Sequence, residues 1–285
     1  MDSAKELVLP EGSESPNFES GSIFFVGNAT VLLRYAGFTI LTDPNFLHQG
    51  EHVHLGYGIS SARKTNPAME MEDLPPLDLV VLSHMHEDHF DRVVEQKLDK
   101  DLPIVTTHHA TAKLKQKGFN SPYAIHTWET QRVTKGDAQL CITAMPGIHG
   151  PSILQAALPP VMGSILEFQT SAGETRFRLY ISGDTLVHDE FKKIPQRYPD
   201  IDLALMHLGG TKVLGILLTM DGKQGAKAIK IISPRTAIPI HFNDYIVMKS
   251  PLEEFIQAVA QAGLENRVRY LNHGDTYTFE VPTSQ

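Results

Sequence analysis

The stretch DLVVLSHMHEDHF, residues 78–90, joins the apolar run Leu79–Leu82 to three histidines and two acids within six positions. An unbroken apolar run of this length reads as a buried strand. The titratable groups therefore crowd the carboxyl end of a strand, where the backbone opens into a loop and ligand sites tend to lie. A metal ion accounts for the crowding. Side chains alternate along an extended segment, so His84 and His86 point to one side and can bind one ion. Asp88 and His89, one turn further on, can face a second. Neutral imidazole and carboxylate suit Zn²⁺ and accept Fe or Mn. The plain alternative, a solvated loop or a core histidine with a backbone partner, fits any one of these residues but not the whole H-x-H-x-D-H pattern.

Such a motif needs further ligands from elsewhere in the chain, and three candidates answer. His149 follows the apolar run QLCITAM, Asp184 follows TRFRLYIS, and His241 follows TAIPI. Each lies beside Gly or Pro, where a backbone turns.

The surrounding pattern predicts the layers that carry this site. Residues 1–20 are rich in Glu, Ser and Pro and read as a flexible tail; residues 21–285 read as a single domain. SIFFVG, ATVLLRY and FTILTDP read as successive strands, with Ala36-Gly37 as a hairpin turn. Residues 44–76 form a long irregular segment of the kind that is functional or disordered, and closure of this loop over a groove is one expectation. DRVVEQKL and TAKLKQKG read as helices around the strand PIVTT. Strands dominate from about 122 to 181, after which IDLALMHL, GKQGAKAIKII, TAIPIHF and SPLEEFIQAVAQAG alternate strand and helix. RVRYLN and TYTFEV read as closing strands. Two mixed sheets packed together with helices outside satisfy this order.

The set His84-x-His86-x-Asp88-His89, His149, Asp184 and His241 resembles that of the metallo-β-lactamase superfamily of metal-dependent hydrolases, over about Ser22 to Val281. The resemblance implies an α/β fold, an αββα sandwich of two mixed β-sheets flanked by helices. It also implies a binuclear metal site, with two divalent ions, Zn²⁺ first and Mn²⁺ or Fe²⁺ as alternatives. His84, His86 and His149 would hold one ion, Asp88, His89 and His241 the other, and Asp184 would bridge them. LTDPNF and LPPLDLVVLSHMHEDHFD are similar to the branch of L-ascorbate-6-phosphate lactonase and N-acyl-phosphatidylethanolamine-hydrolysing phospholipase D. LTMDGKQGAK stands where the phospholipase has a His-containing M-x-x-x-P segment; Asp221 is there, without a matching His or Pro.

Chemistry follows from that ligand set. Two ions about 3.5–4 Å apart share a hydroxide that zinc makes available near neutral pH, and stabilise the oxyanion formed on attack. Asp88 would orient the nucleophile and accept its proton as general base. Asp43 resembles the position that supports the ligating histidines; the alternative is a plain Asp-Pro turn. His188, His207 and Asp221 are candidates for the neighbouring groove, Asp221 equally for a helix cap. His48, His52 and His54 line the groove or are solvated. His108 and His109 precede a predicted helix and read as structural, as do His126 and His273. The reaction implied first is lactone hydrolysis, with phosphodiester hydrolysis as alternative. Iron-dependent redox chemistry on the same fold is the reading of another class, but its diiron members carry Glu where this chain has His86.

Composition narrows the partners. A net charge of −8, from 25 basic and 33 acidic residues, argues against a large nucleic-acid surface. No apolar run reaches the roughly 20 residues of a membrane span. Cys141 is the only cysteine and the opening residues lack an apolar signal core, so a cytoplasmic enzyme acting on a small molecule is expected. Homo-oligomerisation is left open.

Overall fold

The computed structural model describes residues 5–12, 15–56, 58–151, 158–213 and 215–282. The first half of the chain runs β1 (Lys5–Val8), β2 (Ser20–Gly27), β3 (Thr30–Tyr35), β4 (Phe38–Thr42), β5 (His52–His54), β6 (Ser60–Ala62), β7 (Leu79–Val81), α1 (Arg92–Lys97), β8 (Ile104–Thr106), α2 (His108–Gln116) and β9 (Pro122–Ala124). The second half runs β10 (Thr130–Lys135), β11 (Ala138–Pro146), β12 (Met162–Thr170), β13 (Thr175–Ile181), α3 (Lys193–Arg197), β14 (Leu203–His207), β15 (Lys212–Val213), β16 (Ile216–Leu217), α4 (Gly222–Ile232), β17 (Thr236–Ile240), α5 (Leu252–Gln261) and β18 (Thr276–Glu280).

Two seven-stranded sheets result, ordered β18-β2-β3-β4-β7-β8-β9 and β1-β10-β11-β12-β13-β14-β17. Both are mixed. Strands β18 to β4 are antiparallel and β4, β7, β8 and β9 parallel; β10 to β13 are antiparallel and β13, β14 and β17 parallel. Ala36 and Gly37, with φ of 52° and 80°, make the tight turn between β3 and β4, as a two-residue hairpin loop requires.

The apolar runs explain the layering. In β7, Leu79 and Val81 point into the core shared by both sheets, with Ile40, Ile142 and Ile181. Val80 and Leu82 point the other way, against Val94 and Leu98 of the α1 segment and Leu114 of α2. A strand buried on both faces has no polar alternation, which is why this segment is continuously apolar. Each such fully buried side chain contributes roughly 1.5–3 kcal/mol. Ala228, Ile229 and Ile232 of α4, with Phe255 and Val259 of α5, join the cluster that contains the second sheet. The fold is thus the αββα sandwich that the sequence predicts.

Three local expectations are corrected. Within residues 1–20, read as a flexible tail, Lys5–Val8 pairs in parallel with Gln131–Thr134, and Leu9 is buried; residues 1–4, 13 and 14 lie outside the described residues. The segment 44–76 carries the β5–β6 hairpin, held by His54 N–H to Glu87 and by the Arg92 guanidinium on Glu51 and Glu87. RVRYLN is not a strand; it touches the outer edge of β17 at one point, where Val268 bridges Ala237 and Arg269 N–H donates to Ala237 O at 2.9 Å.

Candidate metal centre

The carboxyl ends of strands in both sheets deliver the site. In the first sheet β4 runs into Asp43 and β7 into Ser83 and His84. In the second, β11 leads to His149, β13 to Asp184, β14 ends at His207 and β17 leads to His241. The seven candidate ligands meet there as two groups. One donor atom each from His84, His86 and His149 lie within 4.8 Å of one another, as do those from Asp88, His89, Asp184 and His241. The two groups adjoin: the rings of His84 and His89 are 4.2 Å apart.

Outer nitrogens of the rings are tied down, which fixes the tautomers. His149 Nδ1 donates to Leu218 O at 3.2 Å, and His241 Nδ1 to Leu208 O at 3.2 Å. A carbonyl only accepts, so each Nδ1 carries a proton and Nε2 is the atom left to face a metal. Ser83 Oγ donates to Asp43 Oδ2 at 2.8 Å and so accepts from His84 Nδ1 at 2.9 Å. His89 Nδ1 donates to Asp43 Oδ2 at 3.0 Å. The inward atoms are then His84 Nε2, His86 Nδ1, His89 Nε2, His149 Nε2 and His241 Nε2.

These inward atoms fit a metal. His84 Nε2 and His86 Nδ1 are 3.0 Å apart, close to the roughly 3.3 Å between two nitrogens on a tetrahedral zinc with bonds of about 2.0–2.1 Å. Asp88 Oδ1, His89 Nε2 and Asp184 Oδ1 are buried with no hydrogen-bond partner. His89 Nε2 lies 3.3 Å from Asp184 Oδ2 without the angle of a hydrogen bond. Buried polar atoms without partners are costly, and a cation between them satisfies all three.

Electrostatics agree. Burial alone raises the Asp184 carboxyl, but His241 and His89 outweigh it and hold the group well below the usual carboxylate range. Burial depresses His84 and pushes His86 down to about 4. His89 is opposed by burial yet lifted well above the ordinary histidine value by Asp184, Asp88 and Asp43.

Asp43 is the hub behind the ligands. Its Oδ1 accepts from Ser83 N at 2.6 Å, and its Oδ2 from Ser83 Oγ, His89 Nδ1 and, at 3.2 Å, His207 Nε2. His207 is fully buried and stacks on His89 at 5.9 Å. Asp43 and His241 both hold positive φ, 32° and 59°, the strain that collects at functional sites. Behind them Gly209, with φ of +88°, allows the close approach of β14 to His241, since a Cβ there would stand 2.6 Å from His241 O.

Two candidates lie apart from these donors. Asp221 caps α4, accepting from Gln224 N at 2.9 Å, and lines a separate pocket with Lys212 and Lys249. His188 stands edge-on to Phe191 at 4.9 Å. His108 and His109 do not precede α2 but form its first turn. Two supports escaped the sequence reading. Ser83 differs from any other serine only by its place between a buried strand and a ligand. Asp91 accepts from the backbone of Phe46, Leu47 and Val94 and from Asn45 Nδ2, pinning the chain after Asp43 to α1; an Asp directly before a helical run was its signal.

The beta-lactamase superfamily domain matches residues 39–242, a span containing Asp43 and all seven candidate ligands. The chain belongs to the β-lactamase superfamily, and is a metal-dependent hydrolase of the metallo-β-lactamase fold. It is 31% identical over 247 residues to a UPF0173 metal-dependent hydrolase of Ignicoccus hospitalis, covering 82% of this chain and 96% of that one. Its fold is similar to an isothiocyanate hydrolase from Delia radicum gut bacteria, with a TM-score of 0.76, 22% identity and coverage of 91% and 99% of the two chains. It is also similar to Igni18, a metallo hydrolase of Ignicoccus hospitalis, with a TM-score of 0.66, 25% identity and coverage of 92% and 99%. Among the described residues no helix is long and apolar enough to cross a membrane.

Proposed function

We propose that the chain binds two Zn²⁺ ions and hydrolyses a small ester-type substrate, a lactone first. The observation that carries this reading is the division of seven convergent donors into two adjoining groups, with buried carboxylate and imidazole atoms left for cations. Such a pair supplies Lewis acidity and a nucleophile from water near neutral pH. His84, His86 and His149 hold one cation and Asp88, His89 and His241 the other, with Asp184 between them.

Asp88 is placed to move the proton. Its backbone carbonyl is fixed by Asn28 Nδ2 at 2.6 Å, and its Oδ2 lies 3.4 Å from His241 Nε2. Burial raises its carboxyl, but His89 and His241 more than reverse this. It is thus ionised at neutral pH, as a general base must be.

Charge favours a neutral substrate. Between Asp137 and Glu167 the chain carries no Asp, Glu, Lys or Arg, and His149 sits in the middle of that span. Among the described residues no lysine or arginine pairs with Asp88 or Asp184. Phosphoester anions are commonly gripped by such cations; a lactone needs none. The resemblance to the lactonase branch supports a lactone ring as the bond attacked. The substrate is a small cytoplasmic molecule, and neither nucleic acid nor membrane takes part.

The test is a panel of lactones, phosphodiesters and phosphomonoesters, assayed after chelation, after Zn²⁺ or Mn²⁺ add-back, and with Asp88→Ala. Lactone turnover that returns with Zn²⁺ and is lost in Asp88→Ala is expected. Turnover confined to phosphodiesters refutes the lactone assignment. Oxygen uptake by an iron-loaded protein without hydrolysis refutes the hydrolase.

A further inference from the structure

Strands β7, β8 and β9 leave the first sheet side by side in one direction. The first runs into His84, the second into Thr107 and His108, the third into Ile125 and His126. Ligand sites in parallel sheets lie outside such carboxyl ends. At the outer two ends the rings of His108 and His126 stack with centroids 3.8 Å apart and planes 23° apart. Glu129 completes a group of three, with one donor atom from each within 4.8 Å of the others.

The turn that presents two of these residues is held under strain. Glu129 N–H donates to His126 O at 2.8 Å, and His126 N–H donates back to Glu129 Oε2 at 2.8 Å. Between them Trp128 has a φ of 72°, a left-handed conformation that a bulky residue adopts only where its surroundings impose it. The Arg197 guanidinium stacks on the Trp128 ring at 4.0 Å, and Trp128 N–H donates to Ala144 O at 2.7 Å. This outlier, held at its ring and at its amide, sets His126 and Glu129 towards one another and towards His108.

We propose that His108, His126 and Glu129 bind a divalent cation of the Zn²⁺, Ni²⁺ or Cu²⁺ class, at a site separate from the centre around Asp184. Two imidazoles and one carboxylate suit these borderline ions, whereas Mg²⁺ and Ca²⁺ need more oxygen donors. Both histidines are exposed, so ring rotation closes the group to the roughly 3.3 Å spacing of zinc ligands without moving the backbone. The positive end of α2 opposes a cation at His108, and the Glu129 carboxylate offsets it. Water fills the remaining position. The bound ion ties the first turn of α2 to the chain leaving edge strand β9.

Metal content decides the matter. After saturation with Zn²⁺ or Ni²⁺ and gel filtration, the wild type holds one equivalent more than the folded His108→Ala/His126→Ala double variant. Glu129→Gln weakens that equivalent at least tenfold. Equal metal content in wild type and double variant overturns the proposal. A second measurement compares Cu²⁺ spectra: the wild type shows a Cu²⁺ signal coupled to two imidazole nitrogens that the folded double variant lacks. Identical Cu²⁺ spectra of the two proteins overturn the proposal equally.

Discussion

Replacing Asp43 by Asn removes one charge from the centre without altering shape. The backbone tolerates it, because Asn accepts the left-handed φ of 32° seen at this position. The carboxylate serves four donors: Ser83 N, Ser83 Oγ, His89 Nδ1 and His207 Nε2. The amide oxygen keeps Ser83 N. Ser83 Oγ rotates and accepts instead of donating. His207 moves its proton to Nδ1, where Ser182 Oγ lies at 3.3 Å. His89 has only a distant alternative, Ser83 Oγ at 3.5 Å, since Nε2 must stay unprotonated to bind a metal and Nδ1–H then faces an amide N–H. One stranded buried donor costs about 1–3 kcal/mol. That agrees with the 10–100-fold loss of metal affinity usual for such supporting residues, about 1.4–2.7 kcal/mol. Competition against a chelator of known affinity reads this directly: the cation held by His89 weakens by one to two decades and the one held by His84 moves less. Unchanged affinity for both refutes the hub role of Asp43.

Other perturbations follow from the same contacts. Asp91→Ala strands the Phe46, Leu47 and Val94 amides and should destabilise by about 3–5 kcal/mol in urea unfolding; a loss under 1 kcal/mol contradicts the anchoring role. Gly209→Ala forces a Cβ to within 2.6 Å of His241 O at a φ of +88°, so a loss of about 2–4 kcal/mol and weaker metal retention are expected. Chelated protein should be most stable near pH 6.5. His86, at about 4 in the fold and about 6.5 unfolded, withholds a proton that the unfolded chain takes up, so stability falls by about 3 kcal/mol as pH drops from 6.5 to 4. His89 and His241, raised in the fold, contribute stability that is complete below pH 6.5 and lost as pH rises above it. A chelated protein whose stability keeps rising from pH 6.5 to 8 contradicts the raised pair, and one whose stability does not fall from pH 6.5 to 4 contradicts the His86 shift.

The candidate ligands were legible because each stands at the end of an apolar strand, where a titratable residue has no packing reason to be. The sandwich was legible because double burial leaves β7 and β11 almost wholly apolar. What stayed hidden depends on pairing at a distance. KELV has too few apolar residues to declare a strand, and only its match to β10 makes it one. RVRYLN has strand-like composition but meets the edge strand β17 at a single bridge, Val268 to Ala237. Ser83 and Arg63 gain their roles from geometry alone; Arg63, buried, donates to the Asn45 carbonyl at 3.1 Å.

The seam between the sheets has a consequence for how the protein is made. His84, His86, Asp88 and His89 leave the ribosome well before Asp184 and His241. Until the second sheet closes, the growing chain offers an open chelating loop to whichever ion is most avid, and copper outcompetes zinc for such donors. The donor set of both groups is therefore complete only when the second sheet adds His149, Asp184 and, last, His241. Truncation before β17 should leave a polypeptide that lacks the His241 donor and holds metal more weakly than the full chain, which chelator competition reads.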